Sequence, residues 1–207
     1  TGNTRRFGAS LEKVQQVIGA RDGEIMFGLN LVVHKGKTIF VADTSVHEWP
    51  TSQQLSEIAI SAARVVRLFG FDPKVAFVSH STFGQPVTSR TEQIREAVEI
   101  LKNKKVNFEF DGDMQPDVAL NEEYKKLYPF SKIVGSANIL IMPGQHAASI
   151  SYKMIKAFGD SKVIGPLLIG LGLPIEIAPL RCSTSEILNL ASIAAYSSDI
   201  IDYKLEN

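Results

Sequence analysis

The sequence predicts an α/β fold with a mainly parallel sheet covered by helices on both faces, and three observations predict it. Short apolar runs such as KVAFVS, NILIMPG and KVIGPLLIGL recur along the chain. They are apolar throughout rather than alternating with polar residues, as strands buried on both faces are. The stretches between them carry apolar residues at helical spacing, so strands and helices alternate.

Leu11, Val14, Val17 and Ile18 open the chain with a helical spacing. IMFGLNLVVH (Ile25 to His34) reads as a strand, KGKT as a turn and TIFVAD (Thr38 to Asp43) as a second strand, so a hairpin or a pair of neighbours is expected. WPTSQQLSEIAISAARVVRLFGF is the clearest helix. Thr51 and Gln54 form a capping box, Leu55, Ile58, Ala59, Ala62, Val65, Val66 and Phe69 supply the buried stripe, and Gly70 ends it. Then follow KVAFVS, a helix around Glu92 to Leu101, the strand NFEFDG, a shorter helix near Asp117, NILIMPG, a helix from about His146 to Phe158, KVIGPLLIGL and a final helix.

With 207 residues, 44% of them hydrophobic, the chain can bury one large core or two modest ones. Its 22 basic residues balance 22 acidic ones, and no block of like charge is long enough to follow a phosphate backbone, so no nucleic-acid partner is expected. No apolar run approaches the roughly 18 residues of a membrane span, and there is no signal pattern. The single cysteine cannot form an internal disulfide, which fits a reducing cytoplasm. Thr1 is not a methionine, and TGNTRRFGAS reads like a loop entering a helix with structure before it, the expectation for a fragment of a longer polypeptide.

Ligands of open α/β sheets bind beyond the carboxyl ends of the strands, so four loops there are candidates. SHSTFGQP offers Ser79, Ser81, Thr82, Gly84 and His80. Hydroxyls and backbone N–H groups could hold a phosphoryl or carboxylate oxygen, or the segment is a polar turn capping the next helix. DGDMQPD sets Asp111, Asp113 and Asp117 close together, as oxygen ligands for a divalent cation, an acid/base group, or plain turn and helix-start residues. GSANILIMPGQHAAS contains Asn138 and a tight backbone approach at Pro143, and the glycines of IGPLLIGLGLP, with Gly165 and Pro166, indicate close packing more than phosphate binding. In APLRCSTSEILNLASIAAY, Ser183 is a helix cap and Glu186 completes its capping box, while a reactive Cys182 would need a base or cation that Arg181 alone does not establish. There is no metal-ligand spacing, P-loop or GxGxxG.

FVADTSVHEWPT, FGFDPKVAFVSHSTFGQP, DGDMQPDVALN, GSANILIMPG, ISYKM, GPLLIGLGLPI and EILNLASIAA resemble, in the same order, the C-terminal two-thirds of phosphate acetyltransferases. They are more similar still to the phosphotransacetylase-like domain at the C-terminus of hybrid bacterial NADP-dependent malic enzymes. The resemblance runs from Thr1 to about Tyr196 and implies a two-lobed domain with an architecture like that of the isocitrate and isopropylmalate dehydrogenases, its N-terminal part missing. Residues 1–207 would be the C-terminal two-thirds of that domain, about 20–172 forming one lobe, and 1–19 with 173–207 belonging to the other. It implies coenzyme A or acetyl-CoA as the ligand, a homo-oligomer of at least two chains, and NADP with a divalent metal only in an absent malic-enzyme region.

In active members, coenzyme A attacks acetyl phosphate, a carboxylate helps deprotonate the thiol, and arginine and serine hold the phosphate. Their Ser-Arg-Gly-Cys run corresponds to Pro179-Leu180-Arg181-Cys182 here, with Glu186 at the position of an aspartate. The serine and arginine are gone, and Arg181 lies one position late, where neighbouring side chains point in different directions. A gap-free match of Thr1-Gly2 to the family's Ser-Gly loop puts Glu12 at a second arginine, with Arg5 and Arg6 as partial compensation. Each lost donor typically costs about 10² to 10³ in rate.

The resemblance thus assigns Arg181 and Glu186, in an altered motif, to the catalytic positions and Ser79, Ser81, Thr82, Gly84, Asn138, Pro143, Gly165, Pro166, Cys182 and Ser183 to ligand binding, with no metal. The expected function is a regulatory acetyl-CoA-binding and oligomerisation domain. The alternatives are an active phosphate acetyltransferase using Arg181, Glu186 and Ser183, and an oligomerisation scaffold with a vestigial cleft.

Overall fold

The computed structural model describes residues 5–205, and their side chains as far as residue 197. In chain order the elements are α1 (Phe7–Val17), β1 (Phe27–His34), β2 (Lys37–Ala42), α2 (Ser52–Leu68), β3 (Lys74–Val78), α3 (Ser89–Lys104), β4 (Glu109–Met114), α4 (Pro116–Leu120), α5 (Glu122–Lys125), β5 (Ile139–Ile141), α6 (Gln145–Ala157), β6 (Ser161–Ile169) and α7 (Thr184–Leu205).

The six strands form one sheet in the order β4-β3-β5-β2-β1-β6. β2 with β5, β5 with β3, and β3 with β4 are parallel, whereas β1 is antiparallel to both β2 and β6. The sheet is therefore mixed: three of its five pairings are parallel, in line with the expected mainly parallel sheet, and β1 alone runs against the other strands. The cause is local: Lys35 and Gly36, both at positive φ, make a two-residue turn from His34 to Lys37, and so tight a link can only reverse the chain. The expected hairpin is present, and the parallel strands are joined by helical crossovers.

Each central strand feeds two cores. Phe40, Phe77, Ile139 and Ile141 face α2 and α3, where Leu55, Ile58, Ala62, Val66, Ile94 and Leu101 are buried. Their neighbours Val41, Ala76, Val78 and Leu140 face the other side, with Met114, Ala119 and Ala148. A third cluster packs Leu11 of α1 against Met26, Leu168, Leu171 and Ile177. At α2 the capping box forms as the sequence predicts: Gln54 N donates to Thr51 Oγ1 at 3.2 Å, and Thr51 N donates to Gln54 Oε1 at 2.8 Å.

Asp43, just past β2 and only 1% exposed, fastens the loop between β2 and α2. Its carboxylate accepts the backbone N–H groups of Gly28 at 2.8 Å, Ser45 at 2.8 Å, Val46 at 3.1 Å and His47 at 2.6 Å, and the His47 ring nitrogen Nδ1 lies 2.7 Å away. The His47 carbonyl so placed accepts from Gln145 N at 2.9 Å, which seats the first turn of α6. A side chain at Gly144 would collide with the Glu48 carbonyl oxygen, so the approach of α6 to this loop requires glycine.

Replacing Asp43 by alanine strands four backbone donors, two buried and two half-buried. The variant is expected to lose about 3 to 5 kcal/mol of stability, read as a lower midpoint in urea unfolding, and Asp43→Asn should recover only part of it.

Candidate functional site

β2, β3, β4 and β5 run in one direction, so the loops after them meet at a single edge of the sheet. There a groove of about 500 Å³ is lined by Glu48 and Trp49 from the β2 loop, Ser79 and His80 after β3, Thr88, Arg90 and Ile94 at the start of α3, and Pro143, Gly144, His146 and Ala147 entering α6. The strand order β3-β5-β2 is what sets these three loops side by side. The Arg90 guanidinium lies 4.0 Å over the Trp49 ring, and His146 Nε2 is 2.6 Å from Glu48 Oε1. Gly144 precedes α6 without a side-chain cap, so the amino end of that helix opens towards the groove.

The loop Ser79 to Pro86 is held by its own backbone and by the end of β4. Ser79 N donates to Met114 O at 3.0 Å, and Phe83 N to the Asp113 carbonyl at 2.7 Å. The Ser79 hydroxyl accepts from Ser81 N at 3.1 Å, and Thr82 Oγ1 accepts from Gln115 N at 3.2 Å. Beneath the loop Asp113 is wholly buried, with Arg95 Nε 3.8 Å from its Oδ1. The Ser81 hydroxyl is buried too, and neither it nor either Asp113 carboxylate oxygen has a hydrogen-bond partner in the protein.

Of the residues expected to bind ligand, the structure brings Ser79 and Pro143 together on the groove walls. Ser81 lies under the loop, and Thr82 and Gly84 shape it, Gly84 at a φ of +101°. Asn138 is elsewhere. It sits before β5, where its side chain accepts from Lys74 N at 2.8 Å and donates to Asp72 O at 2.7 Å, so it ties the opposite edge of the sheet. Gly165 and Pro166 are inside β6, and a side chain at Gly165 would strike the Leu29 carbonyl.

The three aspartates do not converge, and no group of metal-binding side chains is found among the described residues. DGD lies within β4 rather than in a turn after it. Asp111 accepts from Lys132 N at 2.8 Å and Asp117 from Val118 N at 3.0 Å, while Glu109 at the strand's start accepts from Val134 N at 2.7 Å.

Arg181, Cys182, Ser183 and Glu186 form a separate group before α7. Glu186 N donates to Ser183 Oγ at 3.2 Å, and Glu186 Oε2 accepts from Ser183 N at 2.8 Å and from its hydroxyl at 2.9 Å, so the predicted capping box is present. Lys156, in the last turn of α6, donates to Glu186 Oε1 at 2.7 Å. Gln145 borders the groove at the other end of α6, about 17 Å away at roughly 1.5 Å per residue, so α6 separates the two groups. The Lys156 bond, followed by those of Ser183, draws the Glu186 carboxyl down to about 2. Burial, and then the Glu186 charge, pushes the Cys182 thiol up. Neither is poised for proton abstraction or nucleophilic attack at neutral pH. Arg181 is exposed, as are Glu12, Arg5 and Arg6, while Thr1 and Gly2 lie outside the described residues.

Sequence reasoning missed Trp49, Arg90, Glu48 and His146 as groove residues, because WPT reads as the lead into a helix. The available signal was a tryptophan in the loop between a strand and a helix, where packing does not require one.

A Phosphate acetyl/butaryl transferase family model matches residues 1–195. The chain is 46% identical over 198 residues to the NADP-dependent malic enzyme of Rhizobium meliloti (strain 1021), a match covering 96% of this chain and 26% of that protein. It is 34% identical over 182 residues to the phosphate acetyltransferase of Bacillus subtilis (strain 168), covering 87% of this chain and 56% of the other. Its fold is similar to that of the EutD phosphotransacetylase from Staphylococcus aureus, with a TM-score of 0.84 and 28% identity over 96% of this chain and 61% of that one. The chain thus spans about a quarter of the malic enzymes and little more than half of the transferases that it matches.

One carboxyl outside the groove is set for a pH effect. Burial raises Glu176 to about 8, opposed in part by the N–H of Leu168, which donates to it at 3.0 Å. Because the folded value exceeds the ordinary 4.5, the stability linked to this group is complete below about pH 4.5 and lost as pH rises through about 8. Urea midpoints measured from pH 4 to 9 should decline less for Glu176→Gln than for the parent chain.

Proposed function

Because the chain belongs to the phosphate acetyl/butaryl transferase family, we propose that it is the regulatory acyl-CoA-binding domain of a hybrid malic enzyme, with little transferase activity of its own. The whole protein oxidatively decarboxylates malate to pyruvate with NADP and a divalent metal held in its malic-enzyme region. This domain senses acetyl-CoA and helps build a cytoplasmic homo-oligomer. Its architecture is the two-lobed, dehydrogenase-like one, with residues 20–172 as one lobe and 1–19 and 173–207 contributing to the other; Leu11 and Ile177 of the second pack against Met26, Leu168 and Leu171 of the first.

The observation that carries this reading is the engagement of Glu186. A base for a thiol needs a proton affinity near the working pH, and Glu186, at about 2, is held by Lys156 and Ser183 as a structural anion. Leu180 stands where the active relatives' motif has arginine, so the developing phosphate charge lacks a donor as well. What persists is a groove with a polar strand-end loop, suited to holding a ligand. Regulation requires the ligand to bind two states of the assembly with different affinity, which is a coupling free energy.

A second reading, a working phosphate acetyltransferase, is favoured by the similarity to the Bacillus subtilis enzyme and by the carboxylate retained at position 186. The two readings part in a paired measurement on the full-length chain. Calorimetry should show acetyl-CoA binding, and acetyl phosphate turnover on the same sample should lie about 10⁴-fold or more below that of an active transferase, the combined cost of two missing donors. Turnover at an ordinary enzymatic rate of about 1 to 10³ s⁻¹ would establish the second reading, and silence in both assays would leave a scaffold.

A further inference from the structure

Trp49 is the only tryptophan of the chain, and it is 65% exposed although it stands in a concave groove. Buried cores do not need it there. Arg90 covers one side of the indole at 4.0 Å, and the His146 ring is 6.2 Å away by centroids, tilted by 32°. A flat ring stacks at about 3.5 Å from the face it covers, and the exposed indole offers such a face beside the His146 ring. Pro143 and Ile94 add apolar wall beside this pair.

The charge of the groove is matched to an anion. Arg90 is a permanent cation, and its stacked guanidinium keeps in-plane donors for phosphate oxygens. The nearby carboxylate of Glu48 is engaged by His146 Nε2 at 2.6 Å, and the first turn of α6 adds the N–H groups that the His47 carbonyl does not take. A ligand with an aromatic base and attached phosphates satisfies both the ring pair and the charge.

We propose that Trp49, His146 and Arg90 form a clamp for an adenine nucleotide, the base lying on the indole and the phosphates reaching Arg90. Resting on the acyl-CoA reading above, the clamp takes the nucleotide end of the coenzyme and leaves the acyl end outside it. A free adenine nucleotide presents the same chemistry, and the test separates the two sources.

Trp49 is the only tryptophan of these 207 residues, so the intrinsic fluorescence of this 207-residue chain excited at 295 nm reports the groove. Acetyl-CoA and ADP should each quench it with saturation, and acetyl-CoA should displace ADP. Trp49→Ala, whose exposed side chain contributes little to stability, should weaken acetyl-CoA binding in calorimetry on the order of tenfold, with unchanged thermal unfolding by circular dichroism. Arg90→Ala should reduce ADP affinity more than that of adenosine. If acetyl-CoA binds in calorimetry but leaves the fluorescence and the affinity of Trp49→Ala unchanged, the clamp is wrong and the acyl-CoA reading stands. If ADP quenches and acetyl-CoA neither binds nor displaces it, the clamp serves a free nucleotide and the assignment to the coenzyme is overturned. If neither ligand binds, both readings fall.

Discussion

Four backbone N–H groups and one imidazole nitrogen converge on the carboxylate of Asp43, and the groove depends on that convergence. The donors come from β1 and from the turn that follows β2, so one side chain settles where β2 stops and which way the chain leaves the sheet. His47 then presents its carbonyl to Gln145, and Glu48 meets Gly144, so the entry of α6 is set by the same group. A carboxylate surrounded by donors that have no other partner is costly to disturb, because the freed N–H groups, those of Gly28 and Ser45 fully buried, are left unpaired. The two β2-loop residues in the groove, Glu48 and Trp49, stand within six positions of this anchor.

α6 links two chemistries that the molecule keeps apart. Its amino end meets the groove, and its last turn holds Lys156 against Glu186. Both ends use the charge a helix terminus prefers: an open set of donors at the start, and a lysine at the finish. Glu186 serves the same logic from the other helix, since it lies in the first turn of α7 and stabilises the amino end of that helix. A carboxylate employed in this way contributes to folding what it would otherwise offer to proton transfer.

Much of the architecture was legible because local and global preferences agree. Thr51 and Gln54 announce the start of α2, Lys35 and Gly36 announce the hairpin, and the apolar runs locate every strand. Strand direction was less legible: a hairpin inside an alternating pattern turns one strand around, and β6 then pairs with that reversed strand. DGD resisted reading because aspartate and glycine disfavour strands in isolation, yet parallel pairing with β3 carries β4 through them. Asn138 was misjudged for a related reason, since a polar residue beside a strand is informative only when one knows which end of the strand it flanks. The groove itself joins residues from Glu48 to Ala147, and nothing in the order of the sequence states that β5 inserts between β2 and β3.

Carboxylates hold N–H groups at both of the outermost strands. Along β4, Glu109 and Asp111 accept the N–H groups of Val134 and Lys132, and on β6 the N–H of Leu168 is taken by Glu176. An unprotected edge is a template on which a second chain can add a strand. Here a copy that sought to extend the sheet would first have to displace acceptors already in place and settle beside their charge or bulk. Each margin of the sheet thus carries ordered groups that an added strand would have to displace.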